Sequence, residues 1–173
     1  IEKANVSNIQ FIDASFDDIY LDDIESIRIH QEVAPIKVIY SPLHGTGSTV
    51  IPQLLERHGF QVYSEPNESQ VDPLFTYTAS SNPEQEKAYI NGLKLAEATG
   101  SDVLFITDPD ADRLGVAVLH DGHYELLTGN QTAALELYYI LEEKSKLNIL
   151  PPNGKVYTTI VTSDLIKKIA SHY

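Results

Sequence analysis

Short apolar runs alternate with helical patterns over residues 36–119, and this alternation restricts the possible fold more than any other feature of the sequence. The pattern predicts, in chain order, a strand at 36–40, a helix at 48–59, a strand at 60–63, a helix at 83–99 and strands at 102–107 and 114–119. Strands that alternate with helices are typical of α/β domains. We therefore expect an α/β/α layered domain, in which a small mixed sheet is flanked by helices.

The ends of the chain add five more predicted elements and a turn. Asp121-Gly122 lies between two β-type runs, and this dipeptide is a strong signal for a hairpin. The other elements are a short helix within 17–30, a strand at 124–127, a helix at 129–146, a strand at 155–161 and a final helix capped by Thr162, Ser163 or Asp164.

Residues 123–173 are poor in strands, and we therefore expect two domains. Residues 1–122 form the first, and residues 123–173 form the truncated beginning of a second α/β domain. The strand at 155–161 has no partner for its N–H and C=O groups within that second unit. We expect the segment either to dock onto the preceding domain or to pair with another copy of the chain.

Composition excludes several classes of function. The formal net charge is −13, which repels nucleic-acid backbones and attracts cations. The absence of cysteine excludes disulfides, cysteine-ligated zinc, iron–sulfur clusters and a cysteine nucleophile. No apolar run reaches the roughly 18 residues that span a bilayer, so we expect no membrane partner and a cytoplasmic location. The chain begins at Ile1 and lacks methionine, and we expect it to be an internal piece of a longer protein.

Three aspartates, Asp108, Asp110 and Asp112, follow the predicted strand 102–107 at alternate positions. Alternate side chains of extended backbone share one face, and a loop that curls here brings the three carboxylates around one point. Mg²⁺ takes oxygen ligands of this kind, and Arg113 adds a planar donor suited to phosphate oxygens. Ligands of open α/β sheets bind beyond the carboxyl ends of strands, so the position also favours a cation site.

This loop has two other interpretations. Three solvated turn aspartates remain an alternative, because Asp and Pro are common in turns. An EF-hand is excluded, because Arg113 stands where that loop needs glycine and Leu119 where it needs glutamate.

The aspartate loop and several other segments closely resemble the phosphoglucomutase/phosphomannomutase (phosphohexomutase) family. The resemblance covers residues 36–173 and implies the second domain of that four-domain family plus the opening of the third. The first domain, with the phosphoserine, and the fourth, with the substrate-phosphate site, are then expected outside this chain. The segments are Ser-Pro-Leu-His-Gly-Thr-Gly at 41–47, Asn-Pro-Glu at 82–84, Asp-Pro-Asp-Ala-Asp-Arg-Leu-Gly-Val at 108–116, Leu-Thr-Gly-Asn-Gln at 127–131 and Thr-Ile-Val-Thr-Ser-Asp at 159–164.

The resemblance implies a phosphoryl transfer. A phosphoserine exchanges its phosphoryl group with a hexose phosphate through a bisphosphate, with Mg²⁺ held by Asp108, Asp110 and Asp112 and with Arg113 as the catalytic arginine near the phosphate. The metal offsets the charge of the transferring group. We expect a phosphoglucomutase that interconverts glucose 1-phosphate and glucose 6-phosphate, with this fragment inactive by itself.

That function has three alternatives. A phosphomannomutase or phosphopentomutase of the same family remains open, and so does a non-catalytic cation-binding α/β module. A haloacid-dehalogenase-like phosphotransferase is the third, and its motif needs Thr or Val four residues after its first Asp. The match fails, because Asp112 stands four residues after Asp108 and Leu114 stands four residues after Asp110.

Two further segments carry functional residue types. Residues 78–83 resemble the phosphoserine loop of the family, but Ser81 stands where that loop has histidine. We interpret the segment as a helix start, with Ser81 or Asn82 as the N-cap and Pro83 near the first helical position, and a phosphorylated serine is the alternative. His44 lies in the Gly-rich loop and is expected to brace it, with a catalytic role as the alternative.

Overall fold

The computed structural model describes residues 6–173, so the first five residues of the expected first domain lie outside the described part. The strands are β1 (Lys37–Ser41), β2 (Gln61–Ser64), β3 (Val103–Thr107), β4 (Leu114–His120) and β5 (His123–Leu127). The helices are α1 (Ser15–Glu25), α2 (Gly47–Arg57), α3 (Ile90–Thr99), α4 (Gly129–Lys146) and α5 (Asp164–His172), and two 3₁₀ turns lie at Val6–Asn8 and Glu86–Tyr89.

The five strands form one mixed sheet in the order β2-β1-β3-β4-β5. Strand β1 runs parallel to both β2 and β3, whereas β4 is antiparallel to β3 and to β5. The parallel pairs place the ends of β1 and β3 side by side, with Ser41 opposite Ile106. The predicted α/β class with a small mixed sheet is therefore confirmed.

Apolar side chains cover both faces of this sheet. Successive residues of a strand point to opposite faces, and in β1 the buried Val38 and Ile39 belong to two different clusters. One cluster joins Ile39 and Leu104 to α3 through Ala96. The other joins Val38, Val103 and Val116 to Leu55 of α2. Helices thus pack on both faces, as an α/β/α domain requires.

The hairpin between β4 and β5 forms as predicted. Asp121 and Gly122 have φ values of 47° and 82°, the left-handed pair that a two-residue type I′ turn requires. Residues 123–127 pair with 116–120, so the sheet continues through the position where the two domains were expected to meet. Thr128 then begins α4 with a capping box: its side chain accepts from the backbone N of Gln131, whose Oε1 accepts from the N of Thr128.

The strand predicted at 155–161 is absent from the structure, and this prediction was wrong. Its apolar side chains are open to solvent, with Tyr157 at 86% and Ile160 at 101% exposure. A strand needs a neighbour for its backbone groups, and no strand within residues 6–173 lies beside this segment. The following α5 does pack against α4, where Ile166 is buried. Pairing of the segment with a second copy of the chain stays a prediction.

The start of α3 also differs from the prediction. The helix begins at Ile90, so neither Ser81 nor Asn82 is its N-cap. The Oδ1 atom of Asn82 instead accepts a hydrogen bond of 2.9 Å from the backbone N of Glu84, which closes an Asx turn. Gln85 is extended, with φ −101° and ψ 126°, and this conformation separates the turn from the helix. The capping predicted at Ser163 is confirmed, because its side chain accepts from the backbone N of Leu165.

No helix within residues 6–173 combines the length and the apolar character that crossing a bilayer demands.

Candidate metal centre

The candidate site lies where the loops after β1 and β3 meet. Because the two strands are parallel neighbours, their carboxyl ends share one edge of the sheet. The backbone N of Thr46 donates to the carbonyl of Pro109 at 2.8 Å, which joins the two loops directly. At Gly45 an added Cβ would lie 2.4 Å from the Pro109 Cα and 2.5 Å from its carbonyl oxygen. Only glycine permits this approach, because the opposing atoms are backbone.

The structure brings the three predicted aspartates together. One carboxylate oxygen each from Asp108, Asp110 and Asp112 lies within 4.8 Å of the others, and this set could hold a metal ion. Ala111 adopts a left-handed conformation with φ 60°, and its backbone N donates to the Asp108 carbonyl at 3.0 Å. This turn reverses the chain and returns Asp112 towards Asp108. All three donors are carboxylate oxygens, so their chemistry fits a hard cation such as Mg²⁺.

The three carboxylates have different surroundings. Asp108 is 1% exposed, whereas Asp110 and Asp112 face solvent. Burial acts to raise the pKa of Asp108, but hydrogen bonds from the side chain and backbone of Arg113 outweigh it and lower the pKa. The charge of Asp110 is the largest influence on Asp112 and raises its pKa. A cation between these groups would relieve that repulsion.

Arg113 is held beside Asp108 by hydrogen bonds from its backbone and its side chain. Its Nε donates to Asp108 Oδ2 at 2.7 Å and its backbone N donates to Asp108 Oδ1 at 3.0 Å. Its Nη1 donates to Asn82 Oδ1 at 3.1 Å, and the side chain remains 47% exposed. The arginine predicted to act beside the aspartates is therefore adjacent to them and accessible.

A cleft opens beside Arg113. It has a volume of about 660 Å³ and combines apolar and polar walls. Its lining includes Pro83, Arg113, Gly115, Leu127, Thr128 and Asn130. Arg113 thus borders a space large enough for a small polar ligand.

His44 occupies the position expected of a bracing residue. It is buried, and its Nδ1 lies 2.7 Å from the carbonyl of Gln70, so Nδ1 carries the proton. Its Nε2 then accepts from the backbone N of Tyr77 at 3.4 Å. Both ring nitrogens therefore contact backbone of the loop after β2, and His44 fastens the β1 loop to it.

A buried acid beneath the β1 loop was missed in the sequence. Glu68 is 1% exposed, and its carboxylate accepts from the Ser41 hydroxyl at 2.6 Å and from the Asn91 amide at 3.0 Å. Burial raises the pKa of Glu68. No sequence signal marks it, because a glutamate in a loop rich in Pro, Asn and Ser is typical of a solvated side chain.

We expect Glu68→Gln to stabilise the domain by about 1 kcal/mol at pH 7, because glutamine buries no charge. Its oxygen still accepts from the Asn91 amide, and its NH₂ donates to the Ser41 hydroxyl oxygen in place of the bond that Glu68 accepts. A raised folded pKa means that the wild-type contribution is full below the unfolded value of about 4.3 and is lost as the pH rises through the folded value. Urea unfolding of both proteins between pH 4.5 and 7 measures this difference. The exposed Glu56→Gln serves as the control, and a difference that does not change with pH would contradict the prediction.

Comparison with known proteins agrees with this architecture. Residues 18–122 match the family "Phosphoglucomutase/phosphomannomutase, alpha/beta/alpha domain II". Two proteins called phosphoglucomutase, from Staphylococcus aureus strains bovine RF122 / ET3-1 and USA300, are each 33% identical over 174 residues, which is 99% of this chain and 31% of theirs. The chain therefore spans about a third of the length of these curated relatives.

The solved structures show the same fold. A phosphoglucomutase/phosphomannomutase family protein from Burkholderia thailandensis superimposes with a TM-score of 0.61 over 74% of this chain and 26% of that one. The two sequences are 18% identical, so this likeness concerns the fold alone.

Proposed function

Because the chain belongs to the phosphoglucomutase/phosphomannomutase family, we propose that it supplies the metal-binding middle part of a phosphoglucomutase. The complete enzyme interconverts glucose 1-phosphate and glucose 6-phosphate through a phosphoserine and a bisphosphate. The observation that carries the proposal is the convergence of three carboxylates beside an accessible arginine at the end of β3. The curated relatives named phosphoglucomutase support glucose over mannose or pentose as the sugar.

The proposed cofactor is Mg²⁺, held by Asp108, Asp110 and Asp112. When bound, it offsets the negative charge of a phosphoryl group during transfer. Two hydrogen bonds from Arg113 fix the Asp108 carboxylate, so this residue sets the position of the site. Asp110 and Asp112 complete the ligand set from the solvent side, where a phosphate oxygen and water have access.

Arg113 is proposed to bind phosphate oxygens. Arg113 lines the cleft, and the planar fork of donors on a guanidinium suits the oxygens of a phosphate. Removal of a hexose phosphate from water into this cleft strengthens that pairing. The phosphoserine and the substrate-phosphate site implied by the family lie outside these residues, so this chain alone is proposed to be inactive.

A Mn²⁺ titration of this chain tests the metal part of the proposal. We expect paramagnetic broadening of the backbone amides of residues 107–113, with a weak dissociation constant on the order of millimolar, because only the protein carboxylates hold the ion. Mg²⁺ added in excess should reverse the broadening.

The acidic segments 15–25 and 121–125 provide internal controls, because the structure gathers no three carboxylates around one point in either of them. Broadening there as strong as at 107–113 would mean that Mn²⁺ responds to general negative charge. Selective binding without any mutase activity in the complete protein would instead favour a non-catalytic cation-binding module.

A further inference from the structure

Two hydrogen-bond donors meet at a single atom of Asn82. Its Oδ1 lies 3.1 Å from Nη1 of Arg113 and 2.9 Å from the backbone N of Glu84. Both of these groups donate and neither accepts, so the atom between them is the amide oxygen. The Asn82 amide is therefore fixed with its oxygen towards Arg113.

Arg113 therefore donates hydrogen bonds to two different residues. Its Nε donates to Asp108 and its Nη1 donates to Asn82, and two such contacts fix the plane of the guanidinium. A guanidinium has five N–H donors, so three remain after these two contacts. The side chain is 47% exposed and lines the cleft, so the remaining donors are available to a ligand there.

The segment that carries Asn82 is itself fixed against the strand that follows Arg113. Pro83 is buried, and a Cβ added to Gly115 would lie 2.9 Å from the Pro83 Cβ and 2.3 Å from the Tyr89 hydroxyl. Pro83 therefore packs directly on β4 two residues after Arg113. The rigid ring of proline and the Asx turn together leave Asn82 little freedom to move away.

We propose that Asn82 is a positioning residue, which orients the Arg113 guanidinium towards the phosphoryl group of a sugar phosphate in the adjacent cleft. This inference rests on the proposed function for its substrate. Without Asn82, the Arg113 side chain keeps only contacts through Nε, at 2.7 Å from Asp108 and 3.8 Å from Asp112, and its Nη atoms can swing about Nε. The guanidinium is then no longer held where negative charge develops on the transferring phosphoryl group, so its stabilisation of the transition state is lost.

The first test uses this chain without any substrate. The Nε–H signal of Arg113 is observed by ¹⁵N NMR in the wild type, in Asn82→Ala and in Asn82→Asp, which keeps an acceptor oxygen. We expect faster solvent exchange and a shifted signal in Asn82→Ala alone. Asn91→Ala is the matched control, because that amide bonds to Glu68 and Tyr77 without contacting Arg113.

The second test measures turnover of glucose 1-phosphate by the complete enzyme, per folded molecule. We expect Asn82→Ala to lower kcat by about 10²-fold with KM unchanged, because misplacement of a positioned group acts on the transition state. Asn82→Asp should restore kcat. A purely structural role would reduce the folded fraction and leave kcat per folded molecule unchanged.

The two tests separate the possible failures. Identical Arg113 Nε–H signals in the wild type and Asn82→Ala would overturn the positioning role, whatever the substrate is. A changed signal together with a wild-type enzyme that turns over no hexose phosphate would reject the proposed function and retain the contact. A changed signal with unaltered kcat in an active enzyme would also overturn the positioning role.

Discussion

Asp110→Asn is expected to lower the turnover of the complete enzyme by about 10³-fold, because it removes a ligand to the cation that offsets charge on the transferring phosphoryl group. Asp110 is exposed, and its side chain takes part in no hydrogen bond or ion pair that the structure records in residues 6–173. The substitution therefore removes a proposed metal ligand without disturbing the packing of the loop. Asp108 is less suitable for this purpose, because it also holds Arg113.

Two measurements decide this prediction. Turnover of glucose 1-phosphate is followed in the complete enzyme at saturating Mg²⁺, and Mn²⁺ broadening of residues 107–113 is followed in this chain. In Asp110→Asn, the turnover should fall by about 10³-fold and the broadening should disappear, while the melting temperature stays at its wild-type value. Asp121→Asn is the matched control, since Asp121 is an exposed turn aspartate with φ 47° where asparagine is tolerated. Near-normal turnover in Asp110→Asn would remove this residue from the mechanism.

Gly45→Ala is expected to destabilise the domain by about 3 kcal/mol, because a methyl group would overlap backbone atoms of Pro109. The opposing atoms belong to the turn that carries the aspartates, so they cannot yield as a flexible side chain would. Relief of the overlap requires the loops after β1 and β3 to separate. The hydrogen bond from Thr46 to Pro109 would then be lost, and the carboxylates would no longer converge.

Chemical denaturation of this chain measures the loss of stability, and the Mn²⁺ titration measures the site. Gly129→Ala is the control, because a Cβ at that position meets no atom within 4 Å. We expect the control to unfold like the wild type and to bind Mn²⁺ equally well. If Gly45→Ala has wild-type stability and unaltered broadening, the close contact of the two loops does not hold the site together.

Local sequence patterns were sufficient for most of the elements and for the cluster of three carboxylates. The hairpin at Asp121-Gly122 and the start of the helix predicted at 129–146 depend on residues at most three positions apart. Asp108, Asp110 and Asp112 also come from one five-residue turn, and a strand that ends in a buried sheet already directs that turn to the ligand-binding edge. Both partners of such an interaction lie within a few residues of each other, so the interaction can be recognised in the sequence without knowledge of the fold.

Contacts between distant segments were decided only by the tertiary structure. Asn82 meets Arg113 across 31 residues of sequence and Ser41 meets Glu68 across 27, and these contacts depend on how the loops pack rather than on spacing. The segment 155–161 has the composition of a strand, yet it forms none because strand formation requires a neighbour with free backbone groups. The sequence alone therefore determined most of the elements and the acidic turn. Packing between segments decided whether 155–161 forms a strand and which side chains support the turn, because a hydrogen bond or a pair of strands exists only when both partners are brought together.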